Sequence, residues 1–221
     1  MSDFLTSRAF FEYRVPMART PSKLRIDGNL REWTPSHRLP NLSAIDGRRE
    51  FAEVYAGWAD DGLSFGLRVG DKTRYGHNPK NPLRSEVLLL WIDTRDARDI
   101  HRATRYCHSL RVFLQGAGAD GTQPLVRRQK VTWQPEQQPP GFDVRKVRAA
   151  GSMEKAHYTL EVHIPGRILH GYDPSECSSI GLFVQIMDSE HGEQFWPYPA
   201  PLPFWQDPSL WAAVELQTEN R

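Results

Sequence analysis

Apolar residues in this chain recur at every second position and rarely at every third or fourth, and that period limits what it can build. FAEVYAGW is followed by ADDG and then LSFGLRV. Leu63, Phe65, Leu67 and Val69 share one face, and Asp60-Asp61-Gly62 supplies the turn of a β-hairpin. HYTLEVHIP sets Tyr158, Leu160, Val162 and Ile164 against His157, Thr159, Glu161 and His163. SEVLLLWID and IGLFVQIMD are continuous apolar runs, as in strands covered on both faces, and LWAAVELQ closes the chain. CHSLRVFLQ and PLVRRQKVTW are weaker strand candidates. The 17 Pro and 16 Gly punctuate the chain too often for long helices, leaving one short helical turn around Pro165–Gly171. The expected fold class is all-β: an antiparallel β-sandwich, immunoglobulin- or jelly-roll-like, with long loops and little helix.

The 221 residues fit a single domain, 1–221, with its core over about 20–217, and QPEQQPPGFD (134–143) reads as a long loop. The 28 basic and 27 acidic side chains nearly cancel, which argues against a nucleic-acid partner, because affinity for a phosphate backbone rests on a net basic surface. Cys107 and Cys177 have no zinc-type spacing and read as two free thiols rather than a bridge. Arg8, Glu12 and Arg14 interrupt MSDFLTSRAFFEYRVPMART, so it reads as neither a secretory signal nor a membrane anchor. The expectation is no membrane partner, a cytoplasmic location if the chain is whole, and an extracellular one if it is trimmed from a larger precursor.

The most polar stretch is DTRDARDIHRATRYCHSLRVF, Asp93 to Phe113. Asp93, Asp96 and Asp99 recur every third residue, a spacing that can offer oxygen ligands to a structural calcium ion. The interleaved Arg95 and Arg98 favour Asp–Arg pairing within the loop instead. His101, Arg102, Arg105, His108 and Arg111 form a second group. They read either as a pocket wall that hydrogen-bonds hydroxyls or pairs with a carboxylate or sulfate, or as a solvated sheet face with one buried histidine. Strand alternation sends His108 to the side of Leu110, Val112 and Leu114, and Arg111 to the other. Cys107 is a poor nucleophile partner for His108, since neighbours on a strand point to opposite faces. Glu86, Glu161, Asp188 and Glu190 are available carboxylates, but no segment points to a glycosidase pair. The chain is not expected to be an enzyme.

Several segments, taken in order, resemble the family 9 carbohydrate-binding modules and the related DOMON-type sandwiches. IDGNLREW matches their opening hydrophobe-Asp-Gly-x-hydrophobe-x-Glu-Trp. VYAGWADDGLSFGLRVGD matches the following hairpin, and RSEVLLLWIDTRD the next strand. YTLEVHIPGRIL, IGLFVQIMDSEHGEQFW and DPSLWAAVEL complete the order over about 80% of the chain. The chain also resembles a subgroup of bacterial proteins that share its Asp-x-Arg-Asp…His-Arg-Ala…Cys-His segment, a likeness to which no activity attaches.

The first resemblance implies a sandwich that holds the end of a sugar chain between aromatic rings, since a pyranose presents an apolar C–H face to a ring. The chain departs from the pattern at one clamp position, where Leu83 in NPLRSEV stands near the place of the usual Trp and Glu86 takes the place of the acid. Trp196, Tyr198 and Trp205 are the replacement candidates. The resulting expectation is a saccharide ligand, neutral or, given the arginines, anionic, stacked on Trp58 and Trp196. Glu86, Arg98, His101, Arg105, His108, Arg111 and Gln194 would make the polar contacts. DOMON-type relatives imply a second possibility, haem b held for electron transfer, with Met17, Met153 and Met187 and the histidines as ligand candidates. A third is a structural or assembly domain without a small ligand.

Overall fold

The computed structural model describes residues 7–218 apart from 79, 133, 200 and 201, with the backbone alone at 135. Its strands are β1 (Arg14–Met17), β2 (Ala52–Ala59), β3 (Gly62–Val69), β4 (Val87–Asp93), β5 (Cys107–Ala117), β6 (Gln123–Gln129), β7 (Arg148–Met153), β8 (Tyr158–Pro165), β9 (Ser179–Asp188), β10 (Gly192–Trp196) and β11 (Ala212–Leu216). They form the expected sandwich. The larger sheet runs β1-β11-β9-β4-β5-β6, with β10 also paired to β9, and the smaller runs β2-β3-β8-β7. Pairing is antiparallel except between β1 and β11.

The apolar runs become strands as read, and the ADDG turn closes β2 and β3 with Ala59 opposite Gly62. Gly62 takes φ +150°, and a Cβ there would lie 2.2 Å from the Ile164 carbonyl oxygen, so only glycine fits. Three strands were not legible. RVPM (β1) carries a proline, which the parallel edge position tolerates; RAAGSM (β7) has little apolar content; GEQFW (β10) is short, with its apolar residues only at the end. The helical turn expected near Pro165 is a single 3₁₀ turn, Gly166–Ile168. Trp133, the last residue of a strand candidate, lies outside the described residues. No described helix is long and apolar enough to cross a membrane.

Two apolar clusters follow from the alternation. Between the sheets, Leu63, Phe65 and Leu67 of β3 and Leu160 and Val162 of β8 meet Leu88, Leu90 and Ile92 of β4 and Leu182, Val184 and Ile186 of β9. Each such fully buried side chain contributes about 1.5–3 kcal/mol. A second cluster lies on the outer face of the larger sheet, where Val87, Leu89, Trp91, Phe113 and Phe183 are joined by Tyr198, Phe204 and Trp211. Phe183 and Phe204 stack with centroids 4.2 Å apart, and Trp91 meets Phe204 edge-on at 5.2 Å. Tyr198, Phe204 and Trp211 thus cover part of that face.

Candidate functional site

Among and beside these apolar residues the outer face carries polar side chains, of which Ser109 and Gln185 are buried at 2% and 4% exposure. Register sets Arg127 of β6 beside Arg111 of β5, then Leu89 of β4, Gln185 of β9 and Phe195 of β10. One row along lie Gln129 and Ser109, and on the other side Leu125, Phe113, Val87, Met187 and Glu193. Strands about 4.8 Å apart put Arg111 and Gln185 roughly 10 Å from one another, with the buried Leu89 between them.

Contacts within the patch orient its donors. With the Gln129 amide turned so that its nitrogen meets Ser109 Oγ at 2.9 Å, its oxygen accepts from Nε and Nη2 of Arg111. Gln185 Nε2 donates to Glu193 Oε1 at 2.6 Å, and the Arg127 guanidinium lies 5.7 Å from the Phe113 ring centre. Burial first, and the adjacent Arg127 second, lower the Arg111 pKa from its ordinary value. At the Asp188 end of β9, the 3₁₀ turn Pro82–Arg84 packs against the strand and holds Leu83 outward, 56% exposed.

The remaining site expectations are placed elsewhere. Trp58 and Trp196 are both buried in the inter-sheet core, so neither ring stacks on a ligand. Their indole N–H groups donate to the Gln217 and Pro40 carbonyls at 3.1 and 3.2 Å. Tyr198 is buried in the outer cluster, while Trp205 is 48% exposed beside Phe204. Glu86 is buried against Lys72, 3.2 Å from its Nζ. Gln194 faces inward: its Oε1 accepts from the Phe51 and Ala52 amides at 2.9 and 3.0 Å, and its Nε2 donates to the Ala52 carbonyl. The residue of β10 on the outer face is Glu193, one position earlier.

The 93–113 stretch does not form one polar wall. A backbone turn with φ +48° at Asp96 leads the loop away from the sheet. Arg98 pairs with Asp96 at 3.1 Å, Arg105 is exposed, and His101 is 78% exposed with Nδ1 2.9 Å from Ser209 Oγ. The three aspartates do not converge on a metal ion. Asp93 is buried and accepts from the Arg95 and Ala97 amides, Asp96 accepts from Ser179, and Asp99 is exposed. Of the haem-ligand candidates, Met17 lies in the inter-sheet core, Met153 is exposed on β7, and Met187 sits on the outer face of β9. Cys107 and Cys177 are unpaired, and burial pushes the Cys107 thiol up to about 12.

His108 points between the sheets, its Nε2 3.2 Å from the His170 carbonyl and its Nδ1 buried without a partner. Burial, the larger cause, pulls its pKa from 6.5 down to about 4 despite that hydrogen bond. The native state therefore holds a neutral imidazole where the unfolded chain takes up a proton. Stability from this residue is present above pH 6.5 and lost as the pH falls towards 4, by about 3 kcal/mol. We expect chemical denaturation from pH 7 to pH 4 to show this slope, and His108→Gln to remove it; an unchanged slope in the variant would place the titrating group elsewhere.

Both sheets, their order and their packing define a sandwich with the fold of the family 9 carbohydrate-binding modules. Among solved structures, one such module from Caldicellulosiruptor kristjanssonii, in complex with cellotriose, superposes with a TM-score of 0.63 at 15% identity, covering 94% of this chain and 95% of that one. Another from the same organism, in complex with glucose, gives a TM-score of 0.60 at 14% identity over 94% and 98% of the two chains. No protein-family profile and no curated protein matches the sequence. At these identities the likeness concerns the fold.

Proposed function

We propose that this chain is a single-domain, non-catalytic saccharide-binding module, and that its ligand carries an acidic group. The observation that carries this reading is the outer face of the larger sheet, where Arg111 and Arg127 stand side by side on β5 and β6, with Gln185 and Glu193 beyond β4 on β9 and β10. The structural neighbours, described in complex with cellotriose and glucose, support a carbohydrate as the ligand class. The charge is argued from this chain alone. Leu83 offers less stacking than an aromatic wall, so more of the affinity falls to the guanidiniums, whose planar forks match a carboxylate or sulfate. The exposed Glu193, oriented by Gln185, serves the ring hydroxyls, and Arg111 the acidic group.

Arg111→Ala tests this. Its affinity for an acidic oligosaccharide is expected to fall about 10- to 100-fold, the loss of a charge-assisted pair, with a melting temperature close to that of the wild type. Equal affinity in variant and wild type would remove Arg111 from the site and the acidic ligand from the proposal.

A further inference from the structure

Lys72 has no exposed side-chain surface, and its Nζ lies 2.8 and 2.9 Å from the two Asp188 carboxylate oxygens, 3.2 Å from Glu86 Oε1 and 3.8 Å from Glu190 Oε2. One positive charge therefore meets three negative ones. The outer lone pairs of these carboxylates are filled from the chain: Glu86 accepts from the Gly76 amide and Ser189 Oγ, Asp188 from the Glu190 and His191 amides, and Glu190 from the Thr73 and Arg74 amides. Their inward oxygens are thus held by backbone, independently of the ammonium. The Tyr75 and Tyr158 rings close the sides, with centroids 5.3 and 5.9 Å from Nζ. The Tyr158 hydroxyl is wholly buried and has no hydrogen-bond partner of good geometry; burial first, then the Asp188 and Glu86 charges, raise its pKa. An orphaned hydroxyl beside an excess of carboxylate oxygens is a donor set with capacity for more cation than it holds.

A cage of carboxylate oxygens around one point charge is the environment of a hard cation, and an ammonium is a compact point charge. We propose that Lys72 is a tethered substitute for a divalent cation, fixing the loop 73–86 against β4 and the β9–β10 turn. Among the described residues no group of three or more His, Cys, Asp or Glu is arranged to hold a metal ion, and in this cage Nζ stands where such an ion would sit. The lock holds at one end the loop that presents Leu83, so Lys72 is a positioning residue for the saccharide face; this second part rests on the function proposed above. A calcium ion taking the place of Nζ would draw the oxygens in to about 2.3–2.6 Å.

Two variants and two conditions test the substitution. Lys72→Ala opens the cage, and we expect its melting temperature in EDTA to fall by about 10 °C, as for a buried ion pair with one partner removed. Millimolar calcium restores most of that loss. Lys72→Met fills the cage with an apolar chain, falls by a similar amount and is not restored. The wild type melts at the same temperature in EDTA and in calcium. If calcium leaves Lys72→Ala unimproved, if that variant folds in neither condition, or if Lys72→Met is restored equally, the proposal is overturned. Binding of an acidic oligosaccharide then reads the positioning role: Lys72→Ala loses about tenfold affinity in EDTA and recovers it in calcium. Calcium rescue of stability beside a wild type that binds no saccharide upholds the tethered cation and overturns the saccharide reading instead.

Discussion

Replacing Arg8 with alanine is expected to lower stability by about 3–5 kcal/mol, the usual cost of removing one partner of a buried ion pair. The Arg8 and Asp46 side chains are 3% and 4% exposed, and Nε of the first donates to Oδ2 of the second. The same guanidinium donates through Nη1 to the Phe195 and Pro197 carbonyls at 2.9 and 3.1 Å. It therefore joins the N-terminal segment to the 3₁₀ turn Leu42–Asp46 and to the end of β10. Alanine would leave two carbonyl oxygens and a carboxylate in a dry place without this cation. Urea denaturation of Arg8→Ala, and of the double variant with Asp46→Ala, checks the account. The double variant is expected to lose less than the two single losses added, because the buried charge goes with its partner. A loss below about 1 kcal/mol in Arg8→Ala would mean that the pair is solvated.

The second large effect concerns the opening motif IDGNLREW. Its Asp27 and Gly28 amides donate to Glu161 Oε2 at 3.0 and 2.9 Å, and Trp33 Nε1 donates to Oε1 at 2.9 Å. One buried carboxylate on β8 thus fastens the motif over the outer face of the smaller sheet, where a Cβ on Gly66 would touch the Trp33 ring. Gly28 itself has φ +83°, and a Cβ there would lie 2.9 Å from the Gly151 backbone, which is why glycine stands between Asp27 and Asn29. Glu161→Ala strands three donors at about 1–3 kcal/mol each. Burial raises the Glu161 pKa and the Trp33 and backbone donors only partly offset it, so relief of that burial discounts the total to about 3 kcal/mol. The variant should melt about 10 °C lower. A change of only a degree or two would show that the motif is held by packing of Trp33 alone.

The strands were readable where one face is apolar and the other polar, as in HYTLEVHIP, because a period of two has only one structural meaning over eight residues. RVPM, RAAGSM and GEQFW carry too few apolar residues for that signal; they are strands because neighbours offer them an edge. For the site, alternation sends Arg111 and His108 to opposite sides of β5, and that much held. What alternation lacks is the identity of the covered face. Trp58 and Trp196 are suited to a sugar or to a core by the same ring surface, and burial took both. Gln185 was visible as the one polar residue inside IGLFVQIMD, and Arg127 within PLVRRQK, but only pairing across β4 puts Gln185 in the row of Arg111, and only β5–β6 pairing sets Arg127 beside it. The carboxylates Glu86, Asp188 and Glu190 come from distant segments, and nothing local in sequence announces Lys72 as their shared partner.

A glycan array probed with the purified chain at low and at physiological salt tests the saccharide reading most directly. The account predicts binding to oligosaccharides that carry uronate or sulfate groups, weakened by salt because surface charge pairing is screened over about 8–10 Å. Neutral gluco-oligosaccharides should bind more weakly. Strong, salt-independent binding to neutral sugars alone would contradict the role given to Arg111 and Arg127, and an array without any signal would contradict the saccharide-binding function itself.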